Sequence, residues 1–209
     1  MAFDATRWNR IRYTVWTPVY DLVARRLDRG RRRAHELVEV QPGERVLLDG
    51  AGTGLDLEYL PHAARITAID ITPSMIARLR ARAASLGMTV DAEVGDGHRL
   101  SFPDASFDVV ILHLILAVIP DPVACIREAE RVLRPGGRVS ILDKFVPDGE
   151  RPSLVRRLAN LVTAPLASHI TRSLGPILAS SSLRVVRDEH AAFRGLFRAV
   201  VAVKAGERR

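Results

Sequence analysis

A glycine-rich segment, Gly50-Ala51-Gly52-Thr53-Gly54, directly follows a short apolar stretch at residues 45–48. Glycines in such a turn allow the backbone to bend tightly and let its N–H groups approach a bound molecule closely. Asp70 ends a second apolar stretch, where a carboxylate can accept hydrogen bonds from both hydroxyls of a ribose. The pattern indicates a site for a nucleoside-containing ligand, and a structural turn with a helix-capping aspartate is the alternative.

Three further polar side chains are candidates for contact with a second substrate. His113 follows a fourth apolar stretch and Lys144 ends a fifth, and in open α/β sheets the ligand crevice lies at the carboxyl ends of the strands. His113 could contact a cofactor or accept a proton, although a histidine between Leu112 and Leu114 is also typical of packing. Lys144 could attract an anionic substrate or cap its strand. His169 could face the same substrate.

The apolar pattern predicts strands that alternate with helices over most of the chain. The predicted strands cover residues 45–48, 65–69, 89–94, 107–112, 138–142, 183–191 and 196–204. Thr72-Pro73 is typical of a helix start, with an N-cap residue followed by proline, and Pro122 begins another helix. The alternation indicates an α/β fold with a doubly wound, mostly parallel sheet. The last two strands, joined by a short turn, predict an antiparallel C-terminal hairpin at the sheet edge.

One domain accounts for all 209 residues, because this length suits a single α/β domain with appended segments. Residues 1–40 form a predicted helical arm, in which apolar residues recur every three or four positions and arginines fill many of the others. Residues 145–172 form a predicted helical insert after the fifth strand, with arginines beside its apolar face. We expect both segments to form a basic, apolar-faced lid over the site of the second substrate.

Charge is distributed unevenly along the chain. Residues 1–33 contain nine arginines and three acidic residues, whereas residues 34–149 contain seventeen acidic and eleven basic residues. Basic flanks attract an anionic partner, either a lipid surface or nucleic acid, and a solvated arginine-rich face is the alternative. Aromatic residues make up 5% of the chain, so the stacking surfaces that bind single-stranded nucleic acid are scarce. Nucleic acid is therefore the less favoured partner.

Cys125 is the single cysteine, so no internal disulfide can form and a reducing cytoplasm is expected. The beginning of the sequence lacks the apolar core of a secretion signal. The longest apolar stretch, residues 109–119, is shorter than the about 18 residues that suggest a membrane span. We therefore expect a cytoplasmic protein, which could also associate with the inner face of the membrane.

No group of histidine, cysteine and acidic residues has the sequence spacing of metal ligands, so no metal is expected.

Four motifs occur in order at residues 46–54 (VLLDGAGTG), 68–76 (AIDITPSMI), 95–110 (GDGHRLSFPDASFDVV) and 131–139 (RVLRPGGRV). With these motifs, the sequence from about residue 20 onwards resembles the class I methyltransferases that use S-adenosylmethionine (SAM), which have a Rossmann-like fold. The G-x-G-x-G spacing also favours SAM over a dinucleotide, whose motif is G-x-G-x-x-G. The resemblance implies methyl transfer from SAM.

The resemblance also implies which residues hold SAM. The glycines of the 50–54 segment lie against the methionine part, Asp70 holds the ribose and Ile71 packs on the adenine. Asp96 accepts a hydrogen bond from the adenine amino group. The implied cofactor-binding residues are Gly50, Gly52, Thr53, Gly54, Asp70, Ile71, Met75, Asp96, Gly97 and His98.

One position departs from the family pattern. The family usually has an acidic residue two positions before the first glycine, and this position is Leu48 here. Asp49 comes one residue later, and the two-residue alternation of a strand points it to the opposite face. The usual acidic contact to the amino group of SAM is therefore in question.

Within the family, the sequence resembles small bacterial phospholipid N-methyltransferases and ubiquinone/menaquinone-type methyltransferases. The resemblance is carried by residues 18–21 (PVYD) and by His113, Val118, Pro120 and Pro122. It implies a lipid-like acceptor, and the first hypothesis is the amine of a phosphatidylethanolamine-type headgroup. Tyr20 and His113 would position this amine and help to remove its proton. The further candidate substrate residues are Tyr13, Lys144 and His169.

Other functions remain open at this point. A quinone ring or another small-molecule natural product would need the same cofactor site and could use the same apolar lid. The basic flanks also permit methylation of RNA. A protein that binds SAM without catalysis is the remaining alternative, which the Leu48-Asp49 order supports.

Overall fold

Seven strands and four α-helices are formed by the residues that the computed structural model describes, which are 25–147, 149, 157–158, 160 and 169–206. Most of the predicted arm and insert lies outside these residues, as do Tyr13 and Tyr20. The strands are β1 Arg45–Asp49, β2 Arg65–Asp70, β3 Val90–Val94, β4 Phe107–His113, β5 Leu133–Lys144, β6 Arg184–Ala192 and β7 Phe197–Val203. The helices are α1 Asp28–Val38, α2 Pro73–Ser85, α3 Pro122–Val132 and α4 Leu174–Leu178, with 3₁₀ turns at Arg25–Leu27, Leu55–Tyr59 and Phe193–Gly195.

All seven strands form one sheet in the order β3-β2-β1-β4-β5-β7-β6. Strands β1 to β5 are all parallel to one another, and β7 is antiparallel to both β5 and β6. The predicted doubly wound sheet with an antiparallel C-terminal hairpin is therefore confirmed. The strand order reverses direction between β1 and β4, and ligands of such sheets bind outside the carboxyl ends of the strands at this switch point.

The central strand β4 is buried at every residue, as expected for a parallel strand that is covered on both faces. Its alternate side chains enter different layers. Leu112 packs in the apolar cluster that contains Cys125 of α3, and Ile111 packs in the cluster that contains Leu79 of α2. The same alternation assigns His113 to the layer of Ile111, away from α3.

Helices α2 and α3 begin where the sequence predicts. Pro73 is the first residue of α2 after the N-cap Thr72. Pro122 is the first residue of α3, and the N-cap Asp121 accepts hydrogen bonds from the N–H groups of Val123 and Ala124, each at 3.0 Å. Because α2 follows β2 and α3 follows β4, both helix starts lie at the carboxyl end of the sheet.

Helix α1 packs against β5 and the C-terminal hairpin. An ideal Cβ at Gly30 would lie 3.3 Å from the Cβ of Ala191 on β6, so this glycine permits close contact. Arg33 of α1 donates two hydrogen bonds to the Glu189 carboxylate on the same strand, at 2.8 and 2.9 Å. No helix within the described ranges is both long and apolar enough to cross a bilayer.

Candidate active site

A cleft opens at the carboxyl end of the sheet, where the strand order reverses between β1 and β4. Its unfilled space is about 670 Å³, including the open mouth. The structure brings eight of the ten predicted cofactor residues onto its wall, which are Gly50, Gly52, Asp70, Ile71, Met75, Asp96, Gly97 and His98. The segment after β4 supplies an apolar wall that includes Leu114, Ile115, Val118, Ile119 and Pro120.

Thr53 and Gly54 do not line this cleft. Thr53 instead borders a small neighbouring cavity behind the glycine turn. An ideal Cβ at Gly54 would lie 2.9 Å from Cγ of Leu79. Gly54 therefore allows the turn to pack closely on α2, and the structure gives it a packing function beside its predicted contact with SAM.

The glycine turn is fixed by the carboxylate that ends β2. The Gly52 N–H donates to Oδ2 of Asp70 at 2.9 Å, and the Thr72 N–H donates to Oδ1 at 2.8 Å. Burial raises the pKa of Asp70, and these two N–H groups oppose the rise. Each carboxylate oxygen has a further lone pair, so Asp70 can hold the turn and still accept a hydrogen bond from a ligand in the cleft.

The turn also lies directly against the segment that follows β4. An ideal Cβ at Gly50 would lie 2.6 Å from Cδ1 of Ile115, closer than two side chains can approach. Gly50 also has a φ of +72°, which disfavours any residue with a Cβ. Glycine at this position therefore satisfies both requirements, and the turn packs directly against the apolar wall of the cleft.

Asp96 and His98 form a hydrogen-bonded pair on the cleft wall after β3. Oδ1 of Asp96 accepts from the His98 N–H at 3.0 Å and lies 2.6 Å from the His98 Nδ1. The Asp121 N–H donates to the His98 Nε2 at 3.1 Å, so Nε2 carries no proton and Nδ1 is the donor to Asp96. His98 thereby links the cleft wall to the start of α3.

Asp49 lies on the opposite side of β1 from Leu48, as the alternation predicts. Leu48 packs in the cluster of α2, whereas Oδ2 of Asp49 lies 3.6 Å from Sγ of Cys125 on α3. Asp49 lines the cleft but is only 2% exposed. Burial is the main cause that raises its pKa to about 7, and the charges of Asp70 and Asp96 add to the rise.

Two charged side chains outside the cleft form hydrogen bonds with the backbone of the segment after β4. The Ala117 N–H donates to Oδ2 of the buried Asp143 at 2.8 Å. Arg172 donates to the carbonyl oxygens of Leu116, Ile119 and Pro120. These bonds hold the apolar wall of the cleft in place, and neither Asp143 nor Arg172 lines the cleft itself.

His113 lies behind the glycine turn, in a buried cluster with Asp56, His35 and Arg31. Oδ1 of Asp56 lies 2.6 Å from the His113 Nδ1, 2.9 Å from the His35 Nε2 and 3.4 Å from the Arg31 Nε. Ser140 lies 3.0 Å from the His113 Nε2. Burial lowers the pKa of His113, which Asp56 partly opposes. The neutral ring therefore donates from Nδ1 and accepts from the serine hydroxyl.

The predicted contact of His113 with the acceptor finds no support in this geometry. The ring is 6% exposed, both of its nitrogens are engaged within the cluster, and it does not line the cleft. Burial would raise the pKa of Asp56, but the two histidines and Arg31 hold it well below its usual range. The ionised carboxylate thus joins the turn that contains Asp56 to α1 and β4.

The same cluster brings two histidine nitrogens and a carboxylate oxygen within 4.8 Å of one another. Sequence spacing did not indicate this group, because its members come from α1, the Leu55–Tyr59 turn and β4. Ligand atoms 2.0–2.1 Å from a tetrahedral zinc would lie about 3.3 Å apart, whereas the two rings approach Asp56 at 2.6 and 2.9 Å. With the Arg31 guanidinium beside the same oxygen, the geometry is that of a hydrogen-bonded ion cluster.

Two predicted substrate residues lie away from the cleft wall. The Lys144 Nζ lies 5.4 Å from the centre of the Phe197 ring, at the end of β5. The His169 backbone N–H donates to the Ala117 carbonyl oxygen at 2.7 Å, which places His169 behind the segment after β4. Tyr13 and Tyr20 fall outside the described residues, so their predicted contact with the acceptor is not tested.

A family model described as a methyltransferase domain matches residues 47–141. A phosphatidylethanolamine N-methyltransferase of Cereibacter sphaeroides is 30% identical over 187 residues, which cover 88% of this chain and 92% of that protein. The chain belongs to the SAM-dependent methyltransferases. Its cofactor is SAM, and the matched residues include the glycine turn, Asp70 and Asp96.

Two further comparisons extend this result. A demethylmenaquinone methyltransferase of Corynebacterium efficiens is 37% identical over 118 residues, which cover 56% of this methyltransferase and 49% of that protein. A putative methyltransferase of Haloferax volcanii, solved in a complex with the Trm112 methyltransferase activator, has a TM-score of 0.76 at 19% identity. The superposition covers 92% of this chain and 97% of that one, and it confirms the fold.

Proposed function

We propose that SAM binds in the cleft with its ribose on Asp70 and its adenine beside Ile71, Asp96 and Gly97. The glycine turn supports this placement, because Gly50 and Gly52 both lie on the cleft wall and carry no side chain. The Asp70 carboxylate lines the same wall. SAM supplies an activated methyl group for direct displacement, so this chain mainly has to align the acceptor and exclude water.

The acceptor that we propose is the amine of a phosphatidylethanolamine-type headgroup. The observation that carries this choice is the similarity to the Cereibacter sphaeroides enzyme, since it extends over 92% of that protein and not merely over the shared methyltransferase domain. The apolar wall after β4 and the basic residues of the two flanks also suit a lipid with an anionic phosphate.

An alkyl amine has a pKa near 10 in water, so the headgroup amine has to lose a proton before its lone pair can attack. We assign this step to Tyr20 of the arm, with Tyr13 as a further contact, because the His113 ring is enclosed. His113 then acts as a positioning residue through Asp56, which follows the glycine turn. Lys144 and His169 do not line the cleft, so we rank them after the tyrosines as candidate contacts to the headgroup.

The cofactor site is tested by Asp70→Asn. The substitution keeps the size of the side chain but removes its charge, so SAM affinity should fall by about 1.5–3 kcal/mol, the value of a hydrogen bond to a charged group. Isothermal titration calorimetry measures this change. Asp91→Asn, which removes an exposed carboxylate from β3, is the matched control and should bind SAM like the wild type. Unchanged affinity in a folded Asp70→Asn variant would refute the placement of the ribose.

The acceptor is tested with methyl-labelled SAM and vesicles that contain phosphatidylethanolamine. Mass spectrometry should show labelled mono-, di- or trimethylated lipid. A parallel reaction with a demethylated quinol examines the second candidate, which the demethylmenaquinone methyltransferase similarity favours. Turnover of the quinol without labelled lipid would overturn the lipid assignment and leave the cofactor site intact.

A further inference from the structure

The Asp49 carboxyl group is enclosed at the floor of the cleft with few partners. Its side chain reaches the cleft wall, yet it is only 2% exposed. Within the described part of the chain, its one side-chain hydrogen-bonding neighbour is the Cys125 thiol, at 3.6 Å from Oδ2. A thiol is a weak hydrogen-bonding group, and a buried carboxyl group usually has stronger partners. The carboxyl group of Asp49 therefore has unused hydrogen-bonding capacity.

Gly97 leaves the space that this carboxyl group occupies. An ideal Cβ at Gly97 would lie 2.6 Å from Oδ1 of Asp49 and 2.8 Å from Oδ2. Any larger residue at position 97 would have to displace the carboxyl group. Asp49 and Gly97 are thus a matched pair, and they place the carboxyl group beside the segment that we assign to the adenine.

The surroundings of Asp49 favour its neutral form. The ionisable groups that face it from the neighbouring elements are Cys125 and Glu128 on α3, Asp70 at the end of β2, and Asp96 after β3. The nearby His98 is engaged with Asp96 and with the Asp121 N–H. Burial and these carboxylates raise the pKa of Asp49 to about 7. A neutral carboxyl group has an O–H that needs an acceptor.

We propose that Asp49 is a further cofactor-binding residue, whose neutral carboxyl group donates a hydrogen bond to a ring nitrogen of the adenine of SAM. The inference rests on the cofactor placement proposed above. Adenine presents lone pairs on N1, N3 and N7 and has a donor only at its amino group, which Asp96 is assigned to accept. A carboxylate would face a ring lone pair with its own lone pairs, whereas the acid supplies the missing proton. Asp49 would thereby bind a ring nitrogen of the adenine, while Asp96 binds its amino group.

The proposal predicts how cofactor affinity changes with pH. Only the protonated form of Asp49 makes the bond, so affinity is highest below its pKa and falls as the pH rises through it. Between about pH 6 and pH 8 the wild-type affinity should fall about tenfold because of this group. Asp49→Asn keeps an N–H donor of similar size and does not titrate, so this part of the pH dependence should disappear. Asp49→Leu removes the donor and should bind about two- to tenfold more weakly at pH 6.

The experiment is calorimetry with S-adenosylhomocysteine and its 1-deaza, 3-deaza and 7-deaza analogues, on the full chain. At pH 6, one of the three analogues should lose affinity with the wild type, and the same analogue should lose none with Asp49→Leu. Glu93→Gln removes an exposed carboxylate from β3 and controls for the overall change in charge. Thermal unfolding of each variant confirms that it is folded, and the isosteric Asp49→Asn keeps the test available if Asp49→Leu does not fold.

Three results would overturn the proposal: equal pH dependence in the wild type and Asp49→Asn, affinity that rises with pH, or deaza analogues that all bind like the parent compound. Asp70→Asn separates this failure from a failure of the cofactor placement. If SAM occupies the cleft and Asp49 only packs there, Asp70→Asn weakens binding and Asp49→Leu does not. If SAM binds elsewhere, neither substitution changes its affinity.

Discussion

Three basic side chains from two elements lie around one carboxylate oxygen of Asp56. Arg31 and His35 belong to α1, and His113 ends β4. Arg31 is 2% exposed, although its guanidinium also bonds to Asp28 at 3.0 Å. Loss of the Asp56 carboxylate would leave this buried charge without its buried partner, and removal of one member of a buried ion pair is strongly destabilising.

We expect Asp56→Ala to lower the free energy of unfolding by about 3–5 kcal/mol, the usual cost of breaking a buried ion pair from one side. Urea denaturation measures this loss. Glu36→Ala breaks an exposed ion pair with Arg33, at 3.0 Å on the same helix, and should cost about 1 kcal/mol or less. Equal losses in the two variants would show that the Asp56 cluster does not stabilise the fold.

The same cluster predicts that stability falls at acid pH. The pKa of His113 lies below its ordinary value of 6.5, so below that pH the unfolded chain takes up a proton that the folded chain does not. The unfolded state is thereby favoured, and stability decreases as the pH falls. Unfolding free energies at a series of pH values should show a steeper loss below about pH 6.5 in the wild type than in His113→Gln. Parallel curves would contradict the neutral, enclosed ring.

The place of most proposed cofactor residues on the cleft wall could be predicted from the sequence, whereas the enclosure of His113 in a buried polar cluster could not. Asp70 ends β2, and Asp96 follows the end of β3 by two residues. The carboxyl ends of parallel strands lie at one edge of the sheet, whatever their side chains pack against. The environment of His113 depends instead on partners 57 and 27 positions away, Asp56 and Ser140. Such long-range partners are set by how the Leu55–Tyr59 turn and β5 pack beside β4, and no local spacing indicates that packing.

At the scale of elements, the segment after β4 is held in place by residues that lie outside the cleft. Leu114 has a φ of +63°, and its N–H donates to the Leu142 carbonyl oxygen at 2.7 Å. The chain therefore changes direction at Leu114 while it is still hydrogen-bonded to β5. Arg172 donates to carbonyl groups of this segment, so the apolar cleft wall depends on a residue 52 to 56 positions further along the chain.

Arg172→Leu should loosen this wall. Removal of the guanidinium leaves carbonyl groups of Leu116, Ile119 and Pro120 without their donor. We expect backbone amides of residues 114–119 to exchange with deuterium about tenfold faster, as for the loss of about 1.4 kcal/mol of local stability. Hydrogen-exchange mass spectrometry measures this change. Arg127→Leu, an exposed substitution on α3, is the control and should leave the same peptide unchanged.

The apolar pattern of the sequence predicted the strand positions well. The start of β5 is the exception. The predicted strand begins at residue 138, whereas β5 begins at Leu133. Pro135-Gly136-Gly137 has the composition of a turn, and the sheet tolerates it through a shift in register between β4 and β5. Gly136 is also paired, since its N–H donates to the Lys204 carbonyl oxygen at 3.1 Å. A neighbouring strand can thus override a local turn signal.

At the scale of the whole molecule, the basic flanks predict attraction to anionic lipid. Each Lys or Arg near a negatively charged surface contributes about 1 kcal/mol, and salt screens the attraction. We expect the full chain to sediment with vesicles in a fraction that rises with phosphatidylglycerol content and falls with added salt. Binding that is equal on neutral vesicles, or absent on all of them, would argue against a membrane-bound acceptor and favour a small soluble one.

The position of β7 between β5 and β6 has a consequence for the order in which the protein can form during translation. The ribosome makes β6 first, but β6 joins the sheet only through β7. At about 5–20 residues per second, the eleven residues from the end of β6 to the end of β7 take about half a second to two seconds to synthesise. During that time its exposed Val185 and Val186 have no strand to pair with in this sheet. A slow codon within this stretch would prolong the interval, so synthesis speed near the hairpin should influence how much of the enzyme escapes aggregation.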